Sequence, residues 1–188
     1  MGKLTVFNLV SLDGYFADMN GDMRWAHNVN KDEEWDAFVA ANASAGSRLL
    51  FGRVTYELMA GYWPTPSAIQ SSPVVAERMN NLPKAVFSRT LDNASWNNTT
   101  LVKERMAAEI RKLKNEPGSA MTILGSGTVV SQLTQERLID EYQIVVVPVV
   151  LGKGRTMFAG INEKLRLKLT STRAFGNGNV VLCYVPRA

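Results

Sequence analysis

Residues 48–57 read Arg48-Leu49-Leu50-Phe51-Gly52-Arg53-Val54-Thr55-Tyr56-Glu57. A short apolar run meets a glycine, and the chain then continues without glycine or proline. This predicts a strand, Arg48 to Phe51, turned by Gly52-Arg53 into a helix over Val54 to Met59. The same grammar recurs at Ala120 to Leu124, where Gly125-Ser126-Gly127 leads into a helix from Thr128 to Leu133. Strands that alternate with helices imply a mostly parallel sheet covered on both faces. Ligands of such sheets bind beyond the carboxyl ends of the strands, where these two turns would lie.

The pattern extends outward in both directions. Lys3 to Val10 (KLTVFNLV) is almost wholly apolar, as suits a strand buried on both faces. Asp13-Gly14 ends it, and a polar loop with a turn at Asn20-Gly21-Asp22 follows. A first helix is predicted from Asn30 or Lys31, with Asn30 as cap and Glu33 completing a capping box. Its apolar stripe is Trp35, Phe38 and Val39. The stretch from Pro64 to Pro73 reads as a loop, and Val74 to Asn81 as a helix. Lys84 to Ser88 and Leu101-Val102 read as strands, Glu104 to Asn115 as a charged surface helix, and Glu141 to Val147 as a sixth strand. Leu165 to Phe175 and Val180 to Val185 are joined by Gly176-Asn177-Gly178-Asn179, which marks an antiparallel hairpin. The expected fold is therefore α/β. A central, mostly parallel sheet of about eight strands has helices on both faces and a closing antiparallel hairpin. No repeat or linker divides the chain, so residues 1–188 are expected to form one domain.

Composition narrows the function. The chain has 188 residues, 46% hydrophobic and 20% charged, which is ordinary for a packed globule. The net charge of +4 can attract an anionic ligand but is too dispersed to indicate nucleic acid. One cysteine, Cys183, excludes an internal disulfide. One histidine, His27, leaves too few ligands for a typical zinc site, so no metal is expected. No stretch approaches the roughly 20 apolar residues of a membrane span, and the N-terminus makes a poor signal peptide. A cytoplasmic protein is the expectation. A Gly-x-Ser-x-Gly nucleophile elbow is absent.

The candidate chemistry is anion binding. Gly52-Arg53-Val54-Thr55 and Gly125-Ser126-Gly127-Thr128 both open helices, whose first N–H groups and dipole favour phosphate. Ser88-Arg89-Thr90, after the third strand, adds hydroxyls and a guanidinium. Two helix starts and a basic loop on one sheet edge could hold a pyrophosphate and one further phosphate.

In order along the chain, these segments resemble a family. Phe51-Gly52-Arg53-Val54-Thr55-Tyr56-Glu57 is similar to the strand-to-helix motif of dihydrofolate reductases and their relatives. Ser11-Leu12-Asp13-Gly14 and Pro148-Val149-Val150-Leu151-Gly152-Lys153-Gly154 resemble more closely the reductase half of the bifunctional riboflavin-biosynthesis deaminase-reductase. The zinc deaminase half has no counterpart here. In place of the Gly-Gly pair of dihydrofolate reductases stands Gly125-Ser126.

The resemblance implies the dihydrofolate reductase-like three-layer fold and an NADPH-dependent reductase. Gly52, Arg53, Val54 and Thr55 would meet the pyrophosphate from one side, and Gly125, Ser126, Gly127 and Thr128 from the other. Ser88, Arg89 and Thr90 would meet the adenosine 2′-phosphate, and Leu9, Phe16 and Ala17 would border the nicotinamide. The substrate would be a small heterocycle, of the 5-amino-6-(5-phosphoribosylamino)uracil type. Activity on a pterin, or NADPH binding without turnover, are the alternatives. Asp13, Trp25, Tyr56 and Met59 are candidates for the substrate side. Asp32 is the expected catalytic carboxylate, for substrate recognition or protonation. It lies about 60° from the centre of the Trp35 stripe at 100° per residue, and stands three residues before an aromatic, as the family's substrate-binding carboxylate does. The apolar run Ile144 to Leu151 suggests a homodimer interface.

Overall fold

The structure, a computed structural model, describes residues 1–27 and 30–187. The chain begins with β1 (Lys3–Ser11), a short β2 (Tyr15–Ala17), a 3-10 turn at Arg24–His27 and α1 (Glu33–Ala45). β3 (Arg48–Gly52) leads into α2 (Arg53–Tyr62), α3 (Pro66–Ser71) and α4 (Pro73–Asn81). Then come β4 (Lys84–Phe87), β5 (Thr99–Val102), α5 (Met106–Lys114), β6 (Ala120–Leu124), α6 (Gly127–Gln135) and β7 (Glu141–Val147). β8 (Arg155–Thr156), β9 (Leu167–Ala174) and β10 (Val180–Pro186) complete the sequence of elements.

Eight strands form one sheet in the order β5-β4-β3-β6-β1-β7-β10-β9. Only β10 runs against its neighbours, pairing antiparallel with β7 and β9. β1, at the centre, alternates sides as a buried strand must. Leu4, Val6 and Val10 pack with Ile110 of α5 and with Val129 and Leu133 of α6. Phe7 and Leu9 pack on the other face with Trp35 and Phe38 of α1 and with Val145, Val147 and Phe175. Further along that face, Tyr56 of α2 and Met79 of α4 cover Leu49, Phe51, Val86 and Trp96.

Several expectations are corrected. α1 begins after Asp32, not Asn30: Asp32 has extended backbone and its side chain accepts a 2.9 Å bond from the Trp35 N–H. The stretch from Pro64 to Pro73 contains α3, capped by Thr65 and begun by Pro66, whose fixed φ suits the first turn. The first half of the apolar run Ile144 to Leu151 is strand within the sheet. Ile144 to Val147 belong to β7, between β1 and β10, and Val145 and Val147 are buried. No helix among the described residues is long and apolar enough to cross a membrane.

One buried charge stands out. Lys84 opens β4 with 0% of its surface exposed. Its Nζ donates to the carbonyls of Asn80 (3.1 Å) and Leu82 (2.7 Å) at the end of α4, and lies 4.6 Å from the centre of the Trp96 ring. The cation thus answers carbonyls that the helix leaves unpaired. Burial lowers its pKa to about 8.

Between that value and the unfolded value near 10.5, the unfolded chain binds a proton that the native chain does not. Lys84 should therefore add stability as pH rises through this window, by about 1.4 kcal/mol per unit of pKa depression. Urea unfolding at pH 7.5 and 9.5 should show wild type gaining on Lys84→Met. An unchanged gap between the two proteins would contradict the assignment.

Candidate functional site

Because β3 pairs in parallel with both β4 and β6, the three turns that follow these strands fall at one rim of the sheet. Two of them are hydrogen-bonded together. The Gly52 N–H donates to Ser126 Oγ (2.8 Å), which in turn donates to the Leu124 carbonyl (2.9 Å). The Ser126 N–H donates to Thr55 Oγ1 (3.1 Å). Ser126 holds φ +61 and Gly125 φ +57, left-handed backbone that ordinarily favours glycine. A Cβ on Gly125 would fall 2.8 Å from Thr55 Oγ1, and one on Gly127 would fall 2.8 Å from the Phe16 ring. Glycine is what permits both approaches.

Three helices start at this rim without a side-chain cap: α2 behind Gly52, α5 behind Arg105 and α6 behind Ser126. α1 and α3 carry capping side chains, while α4, begun by Pro73, also lacks one. Uncapped first turns leave N–H groups open to an anion. Ser88 Oγ accepts from the N–H groups of Thr90 (3.2 Å) and Leu91 (2.9 Å), folding the third turn. Arg89 and Thr90 are exposed on it. Arg53 is half committed, to Glu57 at 3.3 Å. The residues present thus fit a phosphorylated dinucleotide: paired glycines for close approach, open amides and cations.

Asn8 is a further residue of this rim. It is 1% exposed, and its Nδ2 donates to the Gly125 carbonyl (2.9 Å) and to Met157 Sδ (2.8 Å). Its Oδ1 has no partner. A lone amide in the apolar run KLTVFNLV was the visible signal.

Beside the rim, two separated motifs make one clasp. Asp13 accepts from Ser11 Oγ (2.6 Å), the Leu151 N–H (3.1 Å) and the Gly152 N–H (2.7 Å). The Leu12 N–H donates to the Val149 carbonyl (2.8 Å). These bonds, that from Ser11 first, hold the Asp13 carboxyl below the usual aspartate range. Ser11-Leu12-Asp13-Gly14 and Val149 to Gly152 are therefore two halves of one structure.

The model of the RibD C-terminal domain matches residues 2–181. The chain belongs to that family. As a RibD C-terminal domain it is similar over 99% of both chains to a Shewanella sp. PV-4 protein provisionally named for riboflavin biosynthesis, at 24% identity and a TM-score of 0.79. It covers 57% of a Thermotoga maritima diaminohydroxyphosphoribosylaminopyrimidine deaminase/5-amino-6-(5-phosphoribosylamino)uracil reductase, with 99% of its own length, 17% identity and a TM-score of 0.69. A dihydrofolate reductase from Enterococcus faecalis, complexed with NADP(H), matches over 100% of this chain and 98% of its own, at 15% identity and 0.65. The fold is dihydrofolate reductase-like.

Within this RibD C-terminal domain the remaining candidates separate. Phe16 lies against the start of α6, Leu9 on the α1 face of β1, and Ala17 is buried in the β2–β8 pair. Val54 projects outward, 54% exposed. Trp25 packs in the α1 layer and its Nε1 donates to the Asp22 carbonyl (3.1 Å). Tyr56 was expected on the substrate side but is 3% exposed, with its hydroxyl accepting the Trp96 N–H at 2.9 Å. Met59 packs in the same layer and its Sδ accepts the Trp63 Nε1–H (3.0 Å). Tyr56 is buried and Met59 partly buried because α2 turns them onto β3 and Trp96.

Asp32, expected as the catalytic carboxylate, has both oxygens engaged. Oδ1 caps α1 through the Trp35 N–H, and Oδ2 accepts the Asn177 N–H (2.9 Å) of the β9–β10 turn. These backbone bonds, that from Trp35 foremost, lower its pKa. A carboxylate kept ionised by donors cannot lend a proton near neutral pH.

The clasp yields a prediction. Its stability is complete above the ordinary aspartate pKa of 3.8 and is lost as pH falls through the lowered folded value. Asp13→Ala should speed amide hydrogen exchange at Leu151 and Gly152 by about tenfold at pH 7. Exchange equal to wild type would show that the loop is held by other contacts.

Proposed function

We propose that this chain is an NADPH-dependent reductase of a small planar heterocycle, riboflavin-pathway in type, with 5-amino-6-(5-phosphoribosylamino)uracil as the first substrate to try. The observation that carries this reading is the rim itself, in a member of the RibD C-terminal domain family. Three uncapped helix starts and an exposed Arg89 share one sheet edge. Arg53, Thr55 and Gly125 to Thr128 would hold the pyrophosphate. Ser88, Arg89 and Thr90 would hold the 2′-phosphate, for which a guanidinium fork is the matching donor. Leu9, Phe16 and Ala17 would border the nicotinamide, which supplies hydride when bound.

With Asp13 and Asp32 both ionised and engaged, the chain orients the reactants and the proton comes from water. Asp32 then acts as a positioning residue, fixing the β9–β10 turn to α1. Because neither Asp13 nor Asp32 is a free acid, the second reading is an NADPH-binding module without turnover.

NADPH oxidation should be measured with the aminouracil substrate and with dihydrofolate. Turnover on the first supports the proposal, and turnover on dihydrofolate alone would move the chain to the pterin class. NADPH binding without turnover on either favours the module. Arg89→Ala should weaken NADPH binding by roughly 1.5–3 kcal/mol, the scale of a hydrogen bond to a charged group, and NADH binding far less. Equal losses would remove the 2′-phosphate role.

Asp32→Asn should keep the wild-type shape of turnover against pH from 5 to 8, because the native carboxylate does not titrate there. Loss of a limb of that profile would restore Asp32 as the proton donor.

A further inference from the structure

At the opposite edge of the sheet, four cations share one cleft. Arg137, Lys164, Arg166 and Arg187 line a cavity of about 420 Å³. Arg137 and Lys164 continue into an adjoining cavity of about 320 Å³, walled partly by Asn162 and Leu165. The arrangement is held by backbone. The β9–β10 ladder sets Pro186 opposite Leu167, and the Arg187 N–H donates to the Arg166 carbonyl at 2.8 Å, so the two arginines are cross-strand neighbours. Like charges placed opposite one another on a ladder repel. Among the described residues, the sole carboxylate within ion-pair reach of the four is Glu163, 3.5 Å from Arg137 and itself 84% exposed. The other three have no ion pair among the described residues.

Arg137 adds an independent sign. It follows α6 with φ +52. The Leu138 N–H returns to the Leu133 carbonyl and the Arg137 N–H to the Thr134 carbonyl, both at 3.0 Å, which is the helix ending that glycine ordinarily completes. An arginine there accepts backbone strain, and its guanidinium is delivered to the cleft. Strain at a polar cluster is a mark of a functional position.

We propose that this cleft binds the phosphate of a small phosphorylated molecule, at a site separate from the rim. Guanidinium groups match phosphate oxygens two at a time. The volume suits a small ligand, not a polymer laid along a surface.

Inorganic pyrophosphate is the probe, titrated calorimetrically at constant ionic strength into the Arg53→Ala/Arg89→Ala double variant, which weakens both phosphate positions of the rim. Saturable binding should remain. Adding Arg166→Gln and Arg187→Gln should weaken it at least about tenfold, as expected for two lost charge-assisted contacts. In the wild-type background the same pair should leave NADPH binding unchanged. Lys164→Gln serves as the milder variant if the pair disturbs folding. Arg137→Gly should raise the thermal midpoint by about 2–4 °C, the scale for relieved backbone strain in a chain of this size, while weakening pyrophosphate. Binding that does not saturate, or that survives the Arg166/Arg187 pair, would overturn the site. So would a fall in midpoint for Arg137→Gly. A short single-stranded DNA bound tenfold more tightly than pyrophosphate would overturn the small-molecule assignment.

Discussion

Two parallel strands cannot be joined by a tight turn. The chain must cross back over the sheet before the second strand begins, and a helix is the usual means. Each strand-to-helix turn therefore falls on the same edge. β3, β4 and β6 are hydrogen-bonded in parallel, so Gly52-Arg53, Ser88-Arg89 and Gly125-Ser126 become neighbours although they are far apart in sequence. The rest of the site follows from that edge. Its helices begin there, and their first N–H groups have no partner within the helix. Where α2, α5 and α6 lack a capping side chain, the fold has left those donors for something else.

The edge also explains how the aspartates are used. Asp13 and Asp32 each sit where several backbone N–H groups converge, and each carboxylate answers them. Hydrogen bonds to the ionised form lower a pKa, which is the opposite of what a proton donor needs. Both residues hold loops around the rim: Asp13 the segment after β7, Asp32 the turn between β9 and β10. Both carboxylates thereby support the geometry of the loops they hold.

What could be read from the residues divides along the same physical line. The long periodic signals decided the fold: KLTVFNLV as a buried strand, the Gly/Asn hairpin link, and the glycine turns after Phe51 and Leu124. Short elements escaped, because strands of two or three residues such as β8 and β2 carry no periodicity. Helical angle placed Asp32 near the apolar stripe of α1, yet could not show that the β9–β10 turn would bring the Asn177 N–H to its carboxylate, 145 residues away. The burial of Tyr56 was hidden for a like reason. Its position after the Gly-Arg turn was legible, but the direction of its ring was set by Trp96, 40 residues on. Asn8 was visible as an oddity in an apolar run and was passed over.

The amino edge of the sheet shows why not every basic residue there should be read alike. Helices end at that edge, and their last carbonyls draw cations. Lys84 is buried on the carbonyls of α4, and Lys114, at the end of α5, reaches Asp140 at 2.6 Å. Each has its counter-group within the fold, so each is accounted for by stability alone. Arg166 and Arg187 differ. They stand just beyond the β9–β10 ladder, where the pairing register brings them together in the cleft that Arg137 enters from the end of α6. Among the described residues neither arginine has a carboxylate partner, so unlike Lys84 and Lys114 they leave a concentrated positive charge that an added anion can answer.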